Sequence, residues 1–155
     1  MIYYTPPELI RPKQTEMPVL YYNVGISSST PLTVKPALAQ FQAERALNGM
    51  TGLAVDWDKL GAEPPNAIAY QIARSVLSCV FMMGLDPTLV TASVSSGVGI
   101  CFKQGSIYAD IECLNSGEMT TSLINSRGEM FSWEVGQEAG ELVSAIQRIQ
   151  DNINA

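Results

Sequence analysis

The chain has 155 residues, 46% of them hydrophobic and 15% charged, which is the composition of a globular protein of one domain. It carries 15 acidic and 9 basic residues and no histidine, giving a net charge of −6. Contacts with nucleic acid or a membrane surface depend on clustered Lys and Arg, so neither is expected. The lack of imidazole excludes catalysis by Ser-His-Asp or Cys-His groups.

Residues 1–36 hold six of the nine prolines. Because proline fixes φ and lacks an N–H donor, this segment is predicted to be an extended arm, with 19–24 as a strand-like stretch. The arm also contains two tyrosine pairs, and tyrosine is enriched at protein interfaces. The candidate partner contacts are Tyr3, Tyr4, Tyr21 and Tyr22. A protein partner is therefore expected, with a homo-oligomer as its first form; packing of the arm on its own domain is the alternative.

Residues 37–155 are predicted to form one α+β domain. A helical pattern begins at 37 and ends near two glycines, Gly49 and Gly52. A connection follows, in which Trp57, Gly61 and Pro64 are expected to have structural roles. The cleanest apolar stripe predicts a second helix over 67–83, with Asn66 as its N-cap.

From residue 89 the hydrophobic period changes to two, which is typical of strands. The predicted strands are 89–94, 98–103, 106–114, 118–124 and 129–135. Short turns rich in Gly, Ser and Asn separate them and predict an antiparallel meander. A last helix over 137–152 completes an α+β fold with the helices on one face of the sheet. Residues expected in the core are Ile72, Val76, Ile107, Ile111 and Ile146.

Three cysteines, Cys79, Cys101 and Cys113, lie in apolar stretches and show no CxxC spacing. They are predicted to pack in the core as thiols, which favours a reducing, cytoplasmic location. No segment has the length and apolar character of a signal peptide or a membrane span.

Two carboxylates, Asp110 and Glu112, are predicted to share one strand face with Tyr108. A metal-dependent hydrolase or nuclease can place carboxylates in this way, and Asp56 and Asp58 would be further candidate ligands for Mg²⁺. The common D…ExK pattern of nucleases has a lysine where Leu114 stands. The pattern therefore favours a structural role, with no metal and no cofactor, and leaves hydrolysis as the alternative.

Two segments together resemble a widespread family of small uncharacterised bacterial and phage proteins. The first runs from Trp57-Asp58 to Gly61-Ala62-Glu63-Pro64, and the second is Tyr108-Ala109-Asp110-Ile111-Glu112 with Asn115-Ser116-Gly117-Glu118. The family has a "WDGYGA-x-P" connection before a helix and a meander with "YADIE" and "N-x-G-E". Lys59-Leu60 replaces the family's Gly-Tyr. The resemblance covers roughly residues 50–135 and implies an α+β fold, a bacterial or phage source and no established activity.

The sequence therefore favours a non-enzymatic protein-interaction module, such as an antitoxin-like, accessory or assembly partner. This interpretation rests on the acidic composition, the aromatic arm and the lack of histidine for the usual catalytic groups. A metal-dependent hydrolase and an acidic dimer that resembles secretion chaperones are the alternatives. The secretion chaperones interrupt their sheet with a helix, and the pattern here predicts none.

Overall fold

The computed structural model describes the backbone of residues 30–155 and the side chains of residues 38–155. Within this range the chain forms helices α1 (Thr30–Gly49), α2 (Ala67–Met82) and α3 (Ala139–Asn154), strands β1 (Leu89–Ser93), β2 (Gly97–Gln104), β3 (Ile107–Leu114), β4 (Met119–Ile124) and β5 (Met130–Val135), and a 3₁₀ turn at Met50–Gly52. Helix α1 begins inside the range that the prolines assigned to an arm. The remainder of that range, with its four tyrosines, lies outside the described residues.

The strands form one antiparallel sheet in the order β1-β2-β3-β4-β5, so the predicted α+β meander is confirmed. Each strand pairs with the next through a short turn, as alternating runs separated by turn residues require. In the β4–β5 turn, the side chain of Asn125 holds the reversal of the chain. Its Oδ1 atom accepts the N–H of Arg127 at 3.0 Å and the N–H of Glu129 at 2.9 Å. Gly128 has a φ of 79°, a left-handed conformation that glycine adopts at little cost.

The core lies between one face of the sheet and the helices. Alternation along the strands places every second side chain on this face, and the i, i+3, i+4 stripes of α2 and α3 cover it. The largest fully buried side chains include Phe102, Ile100, Ile111 and Leu123 of the sheet and Leu47, Val76, Val80, Ile146 and Ile149 of the helices.

Four of the five predicted core residues are buried, and the fifth, Ile72, is half-buried against the same cluster. The start of α2 is also as predicted, since the Oδ1 atom of Asn66 accepts the N–H of Ala69 at 3.0 Å. Among residues 30–155, no helix is both long and apolar enough to cross a membrane.

Candidate functional site

The face of the sheet that points away from the helices, here the open face, collects the polar side chains of the strands. Its members alternate with core residues along each strand, and the register sets their rows. Asp110 lies directly between Cys101 of β2 and Ser122 of β4. Glu112 lies between Gly99 and Thr120 in the next row. The predicted placement of Asp110 and Glu112 on one strand face is confirmed.

Tyr108, Asp110 and Cys101 form the first polar group of the open face. The hydroxyl of Tyr108 donates to Oδ2 of Asp110 at 2.9 Å and lies 3.6 Å from Sγ of Cys101. Partial burial raises the pKa of each of the three groups. The bond from Tyr108 opposes this shift at Asp110, and the charge of Glu112 adds to it. The environment therefore favours the neutral form of all three side chains.

Glu112 and Ser93 form the second polar group. The hydroxyl of Ser93 donates to Oε1 of Glu112 at 2.5 Å, although the two residues belong to β3 and β1 with β2 between them. The β2 residues beside them, Gly97 and Gly99, have no side chains. The carboxylate of Glu112 can therefore lie across β2 and reach Ser93, which is only 5% exposed.

These geometries do not activate a nucleophile. A cysteine attacks as the thiolate, and burial together with the charges of Asp110 and Glu112 raises the pKa of Cys101. Ser93 is only 5% exposed and its hydroxyl is directed to Oε1 of Glu112, so it is not presented to a substrate in solvent. What the open face provides is a set of polar groups that satisfy one another. Such a surface loses water at a lower cost than one with exposed, unpaired charges.

Two aspartates accept backbone hydrogen bonds within the connection between α1 and α2. One carboxylate oxygen of Asp58 accepts the N–H of Leu60 at 2.9 Å and of Ala62 at 3.0 Å. The pKa of Asp58 lies below its usual value, and the hydrogen bond from the N–H of Leu60 is the largest cause. Asp56 accepts the N–H of Gly61 at 2.7 Å, and Gly61 has a φ of 95°. Both aspartates therefore hold the loop, which supports the structural role predicted for Gly61.

The same connection is fastened to the turns at one end of the sheet. Asn115 accepts the N–H of Asn66 at 2.8 Å and donates to the carbonyl of Pro64 at 3.0 Å. The N–H of Glu63 donates to the hydroxyl of Ser96 at 3.0 Å. The two segments that carry the family resemblance therefore meet in space.

Trp57 packs against the edge of the core as a half-buried anchor. Its indole Nε1 is buried and has no hydrogen-bond partner among the described residues. The ring therefore contributes apolar packing, and its position is consistent with the structural role predicted for Trp57.

The alternative metal site needs Asp56 and Asp58 to meet Asp110 and Glu112. In the part of the chain that the structure describes, no group of three or more acidic or sulfur side chains is placed to hold a metal ion. The aspartates of the connection direct Oδ1 to backbone N–H groups of their own loop. The strand carboxylates instead bond to Tyr108 and Ser93.

The cysteines occupy different environments. Cys113 is fully buried, and burial raises its pKa to about 12. Cys79 is half-buried on α2, with its Sγ 4.0 Å from Sδ of Met83. The prediction that Cys101 packs in the core is wrong, because it alternates with Ile100 and Phe102 and so lies on the open face. The alternation of side chains along β2 already indicates this position, since Cys101 lies between Ile100 and Phe102, which face the core.

Two further residues of the site were missed. Ser93 was expected only as part of a strand, and its bond to Glu112 spans two strands, which no local pattern reveals. Gly97 was expected in a turn. It begins β2, where an added Cβ would overlap the carbonyl oxygen of Cys113.

No protein-family model, no curated protein and no solved structure matches this chain. The family resemblance of residues 50–135 therefore stays a prediction.

Proposed function

We propose that this protein is a non-enzymatic protein-interaction module that binds a protein partner on the open face of its sheet. The observation that carries the proposal is the pairing of the polar groups on that face. Tyr108 bonds to Asp110, and Ser93 bonds to Glu112, so a partner can cover these side chains without leaving them unsatisfied. An antitoxin-like, accessory or assembly protein would act in this way.

Charge supports a partner whose contact surface is basic. Glu134 pairs with Thr120 and Lys103 pairs with Tyr108, so both belong to the open face with Asp110 and Glu112. Lys103 is the one basic residue in the five strands described. The net charge of −6 has the same sign. Complementary charge steers association and disfavours partners of like charge. Tyr3, Tyr4, Tyr21 and Tyr22 stay predicted contacts and lie outside the described residues.

The test compares partner recovery by two arginine variants of the full chain. Thr120→Arg places a long side chain beside Glu112 on the open face, and Gln42→Arg adds the same charge at an exposed position of α1. Each tagged protein captures proteins from a lysate of the source organism, with quantification by mass spectrometry. We expect the recovery of one protein to fall at least about tenfold with Thr120→Arg and to be unchanged with Gln42→Arg. A change at an interface hot spot costs about 2 kcal/mol or more of binding free energy, and about 1.4 kcal/mol corresponds to a tenfold change in affinity. Equal recovery by both variants would refute binding at this face.

The hydrolase alternative is tested with the double variant Asp110→Asn, Glu112→Gln. Both substitutions keep the acceptor oxygens that Tyr108 and Ser93 use, so the fold should persist. We expect partner capture to weaken but to persist, because the paired acceptor oxygens and the charge of Glu134 remain on the open face. Hydrolysis of phosphodiester or peptide substrates with Mg²⁺ or Mn²⁺ by the natural chain, lost in the double variant at unchanged thermal stability, would replace the interaction proposal with the enzymatic one.

A further inference from the structure

The two edges of the sheet are covered to different extents. On the helix side, α1 packs against β1, where Val90 and Ala92 are buried, whereas Phe131 of β5 is 37% exposed. On the open face both edges expose an apolar side chain, Leu89 of β1 at 54% and Met130 of β5 at 69%. Strand β5 contains no proline or lysine, which are common protections of exposed edges. An apolar edge of this kind is a template for pairing with another strand.

The hydrogen-bond pattern identifies the backbone groups at this edge. In an antiparallel ladder, hydrogen-bonded and non-hydrogen-bonded residue pairs alternate. The N–H of Asn125 donates to the carbonyl of Glu129 at 3.1 Å, which makes this the first bonded pair of the β4–β5 ladder. The odd-numbered residues of β5 therefore bond to β4. Met130, Ser132 and Glu134 direct one N–H and one C=O each away from the sheet.

We propose that β5 of a second copy of this chain pairs antiparallel with β5 across a two-fold axis at Ser132. In this register Ser132 faces its own counterpart, and Met130 faces Glu134 of the second copy. Every outward N–H and C=O of the three edge residues then has a partner. The two sheets become one, and the helices of both copies lie on the same side of it.

Neighbouring registers are less favourable for a specific reason. A shift by two residues would place Met130 opposite Gly136 in one direction or Glu134 opposite Gly128 in the other. The N–H of Gly136 already donates to Glu141 at 2.6 Å, and the N–H of Gly128 donates at 2.9 Å within the β4–β5 turn. Each shift would therefore leave edge carbonyls unpaired.

The side chains agree with pairing at Ser132. Phe131 would face Trp133 of the second copy on the helix side, as a closely spaced non-hydrogen-bonded pair. Arg148 of α3 already lies over both rings of its own chain, 5.2 Å from the centroid of Phe131 and 4.3 Å from that of Trp133. Aromatic cross-strand pairs stabilise sheets. On the open face, Glu134 would face Met130, so no carboxylate opposes another.

This self-association goes beyond the proposed function and is tested separately by the dimer dissociation constant of the full chain in sedimentation equilibrium. Met130→Glu places a carboxylate opposite Glu134 twice per dimer, and Met130→Lys places an ammonium there. With up to about 1 kcal/mol per pair, we expect Met130→Glu to raise the dissociation constant by about tenfold or more and Met130→Lys to lower it. Gln42→Glu and Gln42→Lys, on α1, measure the effect of net charge alone.

The axis itself is tested by mixing two variants. Ser132→Lys and Ser132→Glu each place like charges opposite each other and should weaken the homodimer, whereas their equimolar mixture should dimerise as well as the natural chain or better. A natural chain that stays monomeric, Met130 variants that match the Gln42 controls, or a mixture without recovery would each overturn the pairing. Thr120→Arg lies on β4, so loss of the partner in that variant with the dimer intact separates the two proposals.

Discussion

Replacing Thr121 with valine should stabilise the protein. Thr121 is fully buried on the helix side of β4, between Ile111 and Trp133 in the neighbouring strands. Its Oγ1 atom is buried and has no hydrogen-bond partner in the described part of the chain. Valine has nearly the same shape and removes the unsatisfied hydroxyl. Leaving such a group unpaired costs about 1–3 kcal/mol, so we expect a gain of about 1–2 kcal/mol.

The gain is measured by urea unfolding and by thermal melting. For a chain of this length, about 1–2 kcal/mol corresponds to a rise of roughly 2–8 °C in Tm. Thr120→Val makes the same chemical change on the open face of the same strand and should alter stability by less than about 0.5 kcal/mol. Thr121→Ser keeps the hydroxyl, removes a buried methyl and should destabilise. A loss of stability in Thr121→Val would show that the hydroxyl has a partner and would refute the reasoning.

Two further predictions concern the sites described above. Because burial holds the pKa of Asp110 above its usual value, the charged form of Asp110 destabilises the folded state, and the contribution of Asp110 to stability should fall as pH rises above about pH 4. Asp110→Asn should therefore match or exceed the natural stability at pH 7, with the difference lost at pH 3 in parallel unfolding titrations; a large loss at pH 7 would contradict this. Asn115→Ala removes the side-chain hydrogen bonds to Asn66 and Pro64 and should lower the free energy of unfolding by about 1–2 kcal/mol. Amide hydrogen exchange over residues 56–66 should become faster. Asn115→Asp keeps the acceptor for Asn66 and should lower the free energy of unfolding by less. Equal exchange in all three proteins would contradict a fastening role.

Most of the fold was predictable because two signals agreed at α2, at α3 and at the strands. Apolar spacing defined α2 and α3, and strict alternation with Gly, Ser and Asn turns defined the meander, whose register follows from its short turns. The start of α1 was less accessible from sequence. Thr30–Gly49 contains Pro31 and Pro36, and the reading of proline as a helix breaker excluded residues 30–36, whereas the helical pattern was predicted from residue 37.

The open face was predictable only in part. The two-residue alternation of side chains along β3 was enough to place Tyr108, Asp110 and Glu112 on one face, because alternation within one strand needs no tertiary information. The bond between Ser93 and Glu112 depends on the β1–β2–β3 register and on the small residues of β2. Such pairs join residues that are distant in sequence, so no local spacing reports them.

The open face and the β5 edge use the same strands for different contacts. In β5 the outward backbone groups of Met130, Ser132 and Glu134 form the edge, and the side chains of the same residues lie on the open face. The side chains of the odd-numbered residues lie on the helix side, where Phe131 and Trp133 contact Arg148. Pairing at Ser132 would therefore extend the open face without covering it. Two copies of the Tyr108–Asp110 and Ser93–Glu112 groups would then lie on one side of a continuous sheet. A partner with two binding segments would gain avidity from that arrangement without any new contact, because binding of its second segment becomes intramolecular.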